Sequence, residues 1–230
     1  MKRLLAIILA SCMIFTFAAC GNSKDKATVA EDEEEIMTPE EAAGEPTQQE
    51  TLESIDRGTV EGTNYKNEWA GVTFAIPEGM TPLTADEMAK VLGQGNEQLA
   101  AGDEAAKQAM DTFVQNSYVP LFMINDVKDT SKLKIQYIAE IRTSAKTEEE
   151  YLTDTMAQIK ETGLGYAFSD KIEEVKLGKY VYTTVTGTIE SKNAQISYYV
   201  RKIDEGFLVL SVGYTKDRTE VAKQWIEAIV

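Results

Sequence analysis

The sequence predicts an α+β fold, a three-layer α/β/α sandwich around a mainly antiparallel sheet. Three observations support this. Four strand-like runs joined by short turns fill the last third of the chain. Helical segments lie between groups of strands rather than after every strand. The run Phe207–Val212 is apolar on both faces, so its strand needs cover on both sides of the sheet.

Residues 1–19 have the pattern of a secretory signal peptide. Lys2 and Arg3 give a positive start, and residues 4–19 are almost wholly apolar. This apolar length is short for a helix that must cross a hydrocarbon core about 30 Å thick. We therefore expect a cleaved signal rather than a membrane span.

The end of this segment, Phe17-Ala18-Ala19-Cys20, resembles the lipobox of bacterial lipoproteins, in which small residues precede a cysteine that receives diacylglycerol. Cys12 follows a similar short pattern, but cleavage there would leave residues 13–19 as an apolar tail. The resemblance implies lipid attachment at Cys20 and anchoring to the cell membrane through that lipid. We expect the chain to face outside the cytoplasm, in a Gram-positive bacterium.

An acidic segment follows, and we expect a disordered tether over residues 20–62. Its low hydrophobicity and high net charge cannot offset the entropy lost on ordering. The run Glu31–Glu35 makes it either a solvated spacer or a bait for a basic partner or cations. When Lys2 and Arg3 leave with the signal, the net charge goes from −15 to −17. So negative a chain is not expected to bind nucleic acid.

One folded domain is expected over residues 63–230. It opens with a hairpin whose strands flank Ala70-Gly71. The segment Thr84-Ala85-Asp86-Glu87 is a capping box that begins a helix. We expect Gly93-Gln94-Gly95 to interrupt that helix before a second one starts.

Two strands, residues 119–124 and 135–142, and a third helix are expected next. The loop Asn125–Ser131 joins the strands and is rich in Asn and Asp, but its spacing matches no EF-hand pattern, so we expect no metal there. The third helix begins with a second capping box, Thr147-Glu148-Glu149-Glu150. Capping and the helix dipole account for its three glutamates without acid–base chemistry.

The last third predicts four antiparallel strands and a closing helix. The strands are expected at 166–177, 180–189, 194–203 and 207–215. We expect Asp217 to cap the helix. The helix residues expected to be buried are Val221, Ala222, Trp225 and Ile229.

The residue types available limit the chemistry. The chain has no histidine, and with Cys12 removed and Cys20 lipidated it has no free thiol. These absences remove Ser-His-Asp and Cys-His catalysis and the usual zinc, copper and haem ligands, and no cofactor is expected. An enzyme would need a carboxylate pair or a Ser–Lys arrangement. Glu140 and Arg142 share a strand face and, if buried, would neutralise each other.

Residues 63–230 resemble the Mog1/PsbP-like α/β/α group, which occurs in small bacterial lipoproteins. The segment Asn67–Gly79 is similar to the group's opening hairpin followed by Pro-x-Gly. The order from Gly178 through the strands Tyr198–Arg201 and Phe207–Tyr214 into a terminal helix is also similar. The group has photosystem-associated and small-GTPase-binding members, and no residue of this sequence carries either activity across.

We expect a non-enzymatic, lipid-anchored interaction or assembly domain, monomeric, whose partner is an envelope protein. The alternative is an accessory lipoprotein that binds a small ligand or ion for a transporter; a hydrolase is a third. Five tyrosines on the closing strands form either a recognition surface or packing contacts. They are Tyr180, Tyr182, Tyr198, Tyr199 and Tyr214.

Overall fold

Strands and helices alternate in groups along the chain. The computed structural model describes residues 52–100, 102–126, 132–141, 145–204 and 206–230. The strands are β1 (Thr59–Glu61), β2 (Asn64–Asn67), β3 (Val72–Ala75), β4 (Met80–Pro82), β5 (Tyr118–Asp126), β6 (Leu133–Glu140), β7 (Ala167–Phe168), β8 (Glu173–Leu177), β9 (Tyr180–Ile189), β10 (Ala194–Ile203) and β11 (Gly206–Thr215). The helices are α1 (Ala85–Ala100), α2 (Glu104–Ser117), α3 (Glu148–Glu161) and α4 (Thr219–Glu227).

An eight-stranded sheet forms the middle layer. Its order is β4-β5-β6-β11-β10-β9-β7, with β8 also paired to β9, and every pairing is antiparallel. Strand β11 lies between β6 and β10. Leu208 and Leu210 of β11 enter one core, and Phe207 and Val209 enter the other. The prediction of a central strand covered on both faces is confirmed.

Different elements cover the two faces of this sheet. A three-stranded sheet, β1-β2-β3, and helix α4 cover one face. Phe74 of the small sheet and Trp225 of α4 belong to the core on this face, together with residues of the large sheet. On the other, the core contains Met88 of α1, Val114 of α2 and Leu152 of α3. The α+β prediction is confirmed, and one outer layer is a mixture of strands and a helix.

The predicted hairpin at Ala70-Gly71 is confirmed and is held by one side chain. Asn67 is buried, and its Oδ1 accepts a hydrogen bond from the Ala70 backbone N–H at 2.7 Å. Its Nδ2 donates to the Asp56 carbonyl at 2.7 Å. Gly71 has φ of +67°, a value that favours glycine. The hairpin turn is therefore tied to the segment that precedes it.

The folded domain begins at or before Leu52, so its predicted start at Thr63 is wrong. Leu52 and Ile55 are each 7% exposed and belong to the core. Strand β1 lies inside the stretch assigned to the tether, and it pairs with β2 of the folded domain. The sequence pattern misses this because two apolar residues among many polar ones are too few to mark a buried segment.

Helix α1 runs through Gly93 and Gly95 without a break, contrary to the prediction. Each glycine costs about 1 kcal/mol relative to alanine in a helix, but burial of Met88 and Leu92 on the sheet offsets that cost. The break falls at Gly102, which has φ of +90°. Asp103 then caps α2 by accepting a hydrogen bond from the Ala106 N–H at 3.0 Å.

The predicted capping box at Thr84 forms in full. The one at Thr147 forms in part, because the Glu150 carboxylate accepts from the Lys146 N–H at 2.8 Å rather than from the Thr147 N–H. The Thr84 N–H donates to the Glu87 carboxylate at 2.8 Å, and the Glu87 N–H donates to Thr84 Oγ1 at 3.3 Å. At the start of α3, Thr147 Oγ1 accepts from the Glu150 N–H at 3.2 Å. These bonds satisfy N–H groups that the first helical turn leaves without partners.

The last third departs from the prediction in three places. The first expected strand, 166–177, is split into β7 and β8, which both pair with β9. Asp217 lies in a 3-10 turn and pairs with Lys132 at 3.3 Å rather than capping α4. Val221 is 36% exposed, whereas Ala222, Trp225 and Ile229 are buried as expected.

Candidate functional site

The five predicted tyrosines do not form an exposed surface. Tyr182, Tyr198 and Tyr214 are buried, and the recognition-surface interpretation is wrong for these three. Tyr182 and Tyr214 lie in one core and Tyr198 in the other, because strand alternation directs them to opposite faces of a sheet covered on both sides. Tyr180 and Tyr199 are half-buried against the first of these cores. The packing alternative fits these positions.

Tyr180 and Tyr182 instead hold Arg201 of β10. The guanidinium carbon lies 3.7 Å from the Tyr180 ring centroid and 5.6 Å from that of Tyr182. Its Nη2 donates to the Ala70 carbonyl at 2.5 Å. A Cβ on Gly71 would collide with the Tyr180 hydroxyl. The cation–π contact holds Arg201 within the large sheet. Its hydrogen bond to Ala70 fastens the small sheet to the large one.

A buried carboxylate lies on the opposite face. Glu140 at the end of β6 is 1% exposed and accepts a hydrogen bond from the Tyr151 hydroxyl; Tyr118 is a second hydrogen-bonding partner. Burial raises the pKa of Glu140 from 4.5 to about 8, against the lowering effect of these two bonds. Its expected neutralising partner, Arg142, lies outside the described residues.

A cleft of about 650 Å³ lies between α1 and α2 and reaches the start of β5. Asn96 of α1 is 1% exposed, and its Nδ2 donates to Asp111 Oδ1 of α2 at 2.7 Å. The other Asp111 oxygen accepts from Lys107 at 2.7 Å. Arg57 and Tyr118 also line this cleft. It thus combines one acidic group, one basic group and a buried amide.

A second depression, which we call the lysine groove, lies between the small sheet and the β8–β9 turn. It has a volume of about 660 Å³ and is lined by Lys66, Lys176 and Lys179 together with Gly71 and Gly178. Its other charged side chain is Glu68, which pairs with Lys66 at 2.8 Å. The groove is therefore a positive region on a chain with a net charge of −15.

Sequence reasoning missed both depressions, although one signal was available. Asn96 follows Met88 and Leu92 at four-residue intervals, so it occupies the apolar stripe of α1. A polar residue at such a position needs a partner. The three groove lysines come from β2, β8 and the β8–β9 turn, and no local spacing connects them.

Cys20, the predicted lipidation site, lies outside the described residues. So do residues 127–131 of the Asn125–Ser131 loop, where no metal is expected. Asn125 and Asp126 are described and end β5. Within the described ranges, no three metal-ligating side chains come together. No helix in that part of the chain is long and apolar enough to cross a membrane.

The sequence matches no protein-family model and no curated protein. The structure is similar to the solution structure of cyanobacterial PsbP (CyanoP) from Synechocystis sp. PCC 6803, with a TM-score of 0.45 and 12% sequence identity. The similarity covers 75% of this chain and 95% of that chain.

Proposed function

We propose that this chain is a non-enzymatic interaction domain anchored by lipid to the outer face of a bacterial cell membrane. The observation that carries the proposal is the N-terminal pattern, a positive start and an apolar run that end in small residues before Cys20. Diacylglycerol on Cys20 supplies the two acyl chains that stable anchoring needs. The acidic stretch before Leu52 separates the anchor from the folded domain.

The proposed partner is an envelope protein that presents an acidic segment to the lysine groove. Three lysines and one glutamate line the groove, on a chain that is otherwise strongly acidic. Such a local reversal of charge favours one binding orientation and raises the rate of encounter. The Lys66–Glu68 pair is exposed and contributes little by itself.

Replacing Cys20 with alanine is expected to abolish lipid attachment and to release the chain from the membrane, because the variant lacks the thiol that would receive diacylglycerol. The measurement is the distribution of the full chain between membrane and soluble fractions in the producing cells, together with incorporation of labelled palmitate. Cys12→Ala is the matched control and should leave both readouts unchanged. Retention of label by the Cys20→Ala variant would contradict the proposed anchor.

Reversing the charge of the lysine groove is expected to weaken partner binding by at least tenfold, because acidic contacts become repulsive. The variant carries Lys66→Glu, Lys176→Glu and Lys179→Glu. The control carries Lys90→Glu, Lys160→Glu and Lys223→Glu, which give the same net charge at exposed positions away from the groove.

The measurement is quantitative capture of envelope proteins from detergent-solubilised membranes with each full-length chain as bait. Support would be a protein retained by the wild type and by the control variant but lost with the groove variant. Equal retention by both variants, or no stoichiometric partner for the wild type, would refute the proposed partner class.

Small-ligand binding as an accessory of a transporter is the second candidate function. The cleft between α1 and α2 favours it, since about 650 Å³ lies within the usual range of small-molecule sites. The lysine groove plays no part in this candidate, so the two functions can be tested separately.

A further inference from the structure

The cleft between α1 and α2 contains a buried hydrogen-bond acceptor with no partner. Asp111 is a carboxylate and can only accept, so the nitrogen of the Asn96 amide faces it at 2.7 Å. The orientation of the amide is thereby fixed, and Oδ1 is the other end. This oxygen is buried and receives no hydrogen bond within the described part of the chain. Buried polar atoms usually have a partner, which a bound molecule would supply here.

An ion pair lies beside this acceptor, formed by Asp111 and Lys107 at 2.7 Å. Partial burial acts to raise the pKa of Asp111, but hydrogen bonds from Asn96 and Lys107 outweigh it, and the pKa lies below its ordinary value of 3.8. The group is therefore ionised at neutral pH. The unpaired Asn96 Oδ1 needs a hydrogen-bond donor, and an amine supplies one.

Arg57 adds the opposite charge to the same cleft. Its guanidinium is exposed and has no carboxylate partner among the residues that the structure describes. The segment that carries it is fixed, because the Tyr65 hydroxyl donates to the Arg57 carbonyl at 2.9 Å. Guanidinium groups pair with carboxylates through two parallel hydrogen bonds.

We propose that this cleft binds a small molecule that carries both an amine and a carboxylate, the chemical class of free amino acids and short peptides. The amine donates to Asn96 Oδ1 beside Asp111, and the carboxylate pairs with Arg57. The inference rests on the second candidate function and names its ligand class. It does not depend on the lysine groove or on the lipid.

The first test is ligand binding to the full chain in detergent micelles. The probes are L-alanine, L-leucine, L-glutamate and the dipeptide L-alanyl-L-alanine, followed by calorimetric titration and by the unfolding temperature. At least one probe is expected to raise Tm by about 5–10 °C at a concentration one hundred times its Kd. The N-acetyl and methyl-ester forms of that probe should bind at least tenfold more weakly, since each lacks one charge.

Substitutions test which residue of the cleft binds each end of the ligand. Arg57→Gln is expected to weaken the parent probe about tenfold and to leave the methyl ester unaffected, because the ester has no carboxylate for Arg57 to pair with. Lys66→Gln, an exposed lysine in the lysine groove, is the control and should not change binding. Asn96→Leu should abolish binding; if that variant does not fold, the Arg57 comparison still decides.

The inference is overturned if none of the four probes binds, or if the N-acetyl and ester forms bind as tightly as the parent. It is also overturned if Arg57→Gln weakens the ester as much as the acid. The charge-reversed lysine-groove variant should bind the probe like the wild type. Loss of partner capture and loss of probe binding therefore report on different proposals.

Discussion

Replacement of Glu140 by glutamine is expected to flatten the pH dependence of stability and to make the protein more stable at neutral pH. The folded protein holds the Glu140 proton up to about pH 8, whereas the unfolded chain releases it near pH 4.5. Between these values the folded state binds one more proton than the unfolded state, so the free energy of unfolding falls as pH rises.

The sign and size of this effect follow from the pKa difference. Below pH 4.5 Glu140 is protonated in both states, and the free energy of unfolding is not reduced by its ionisation. From there to about pH 8 the free energy of unfolding falls by roughly 1.4 kcal/mol for each pH unit, and by about 5 kcal/mol in all. Glutamine is neutral in both states, so the free energy of unfolding of the variant does not fall in this way. At pH 7 we expect it to exceed that of the wild type by about 3 kcal/mol.

The measurement is urea unfolding of both proteins at half-unit steps across this pH range. Glu78→Gln is the matched control, because Glu78 is an exposed glutamate in the turn before β4. The control should keep the wild-type slope. A Glu140→Gln variant with the same slope as the wild type would show that another group takes up the proton.

Much of the fold could be predicted because its strongest patterns are local. Capping boxes at Thr84 and Thr147 mark helix starts through hydrogen bonds that span three residues. The apolar run of β11 needs cover on both faces, and this requirement identifies a three-layer arrangement. Such signals depend little on the rest of the chain.

Features decided by distant contacts were missed. The burial of Leu52 and Ile55 depends on a sheet formed by residues much later in the sequence. Helix α1 passes through Gly93 because packing of the neighbouring turns on the sheet outweighs helix propensity. Alternation in a strand likewise shows that Tyr198 and Tyr199 occupy opposite faces, but not that the covering elements bury Tyr198 fully and Tyr199 only in part.

The candidate sites depend on distant contacts even more. Arg57 and Asp111 are far apart in sequence and line one cleft only after α2 packs beside α1. The sequence shows Asn96 as a polar residue in an apolar stripe. It does not show that the amide nitrogen faces Asp111, which leaves Oδ1 without a hydrogen bond. The sequence shows Glu140 as a charged residue on a strand. It does not show that Tyr151, from the helix that follows, donates a hydrogen bond to it.

Trp225→Ala is the substitution expected to destabilise the protein most. The indole is buried, and its ring centroid lies 5.3 Å from that of Phe74 in β3. Its Nε1 donates to the Ala75 carbonyl at 2.7 Å. Truncation of a buried tryptophan costs about 3–5 kcal/mol of the free energy of unfolding. That loss is comparable with the whole stability of many domains.

Trp69→Ala is the matched control, because the second tryptophan of the chain is only partly buried and should lose less under the same change. Trp225→Phe keeps an aromatic ring and removes the N–H, so it should cost about 1–3 kcal/mol by leaving the Ala75 carbonyl unpaired. Urea unfolding of all three variants separates ring packing from the hydrogen bond. If Trp225→Ala and Trp69→Ala lowered the free energy of unfolding equally, the larger effect expected for the buried tryptophan would be contradicted.

The Trp225 variant also tests whether the lysine groove depends on α4. The Val230 carbonyl, just after α4, accepts from the Thr73 N–H of β3 at 2.8 Å, and both residues line the groove. Loosening α4 should therefore release this edge of β3 and weaken partner capture. The two helices of the α1–α2 cleft pack on the other face of the sheet, whereas Arg57 is attached through Tyr65 to the core that contains Trp225. Probe binding to Trp225→Ala should therefore weaken no more than with Arg57→Gln at temperatures where the variant remains folded.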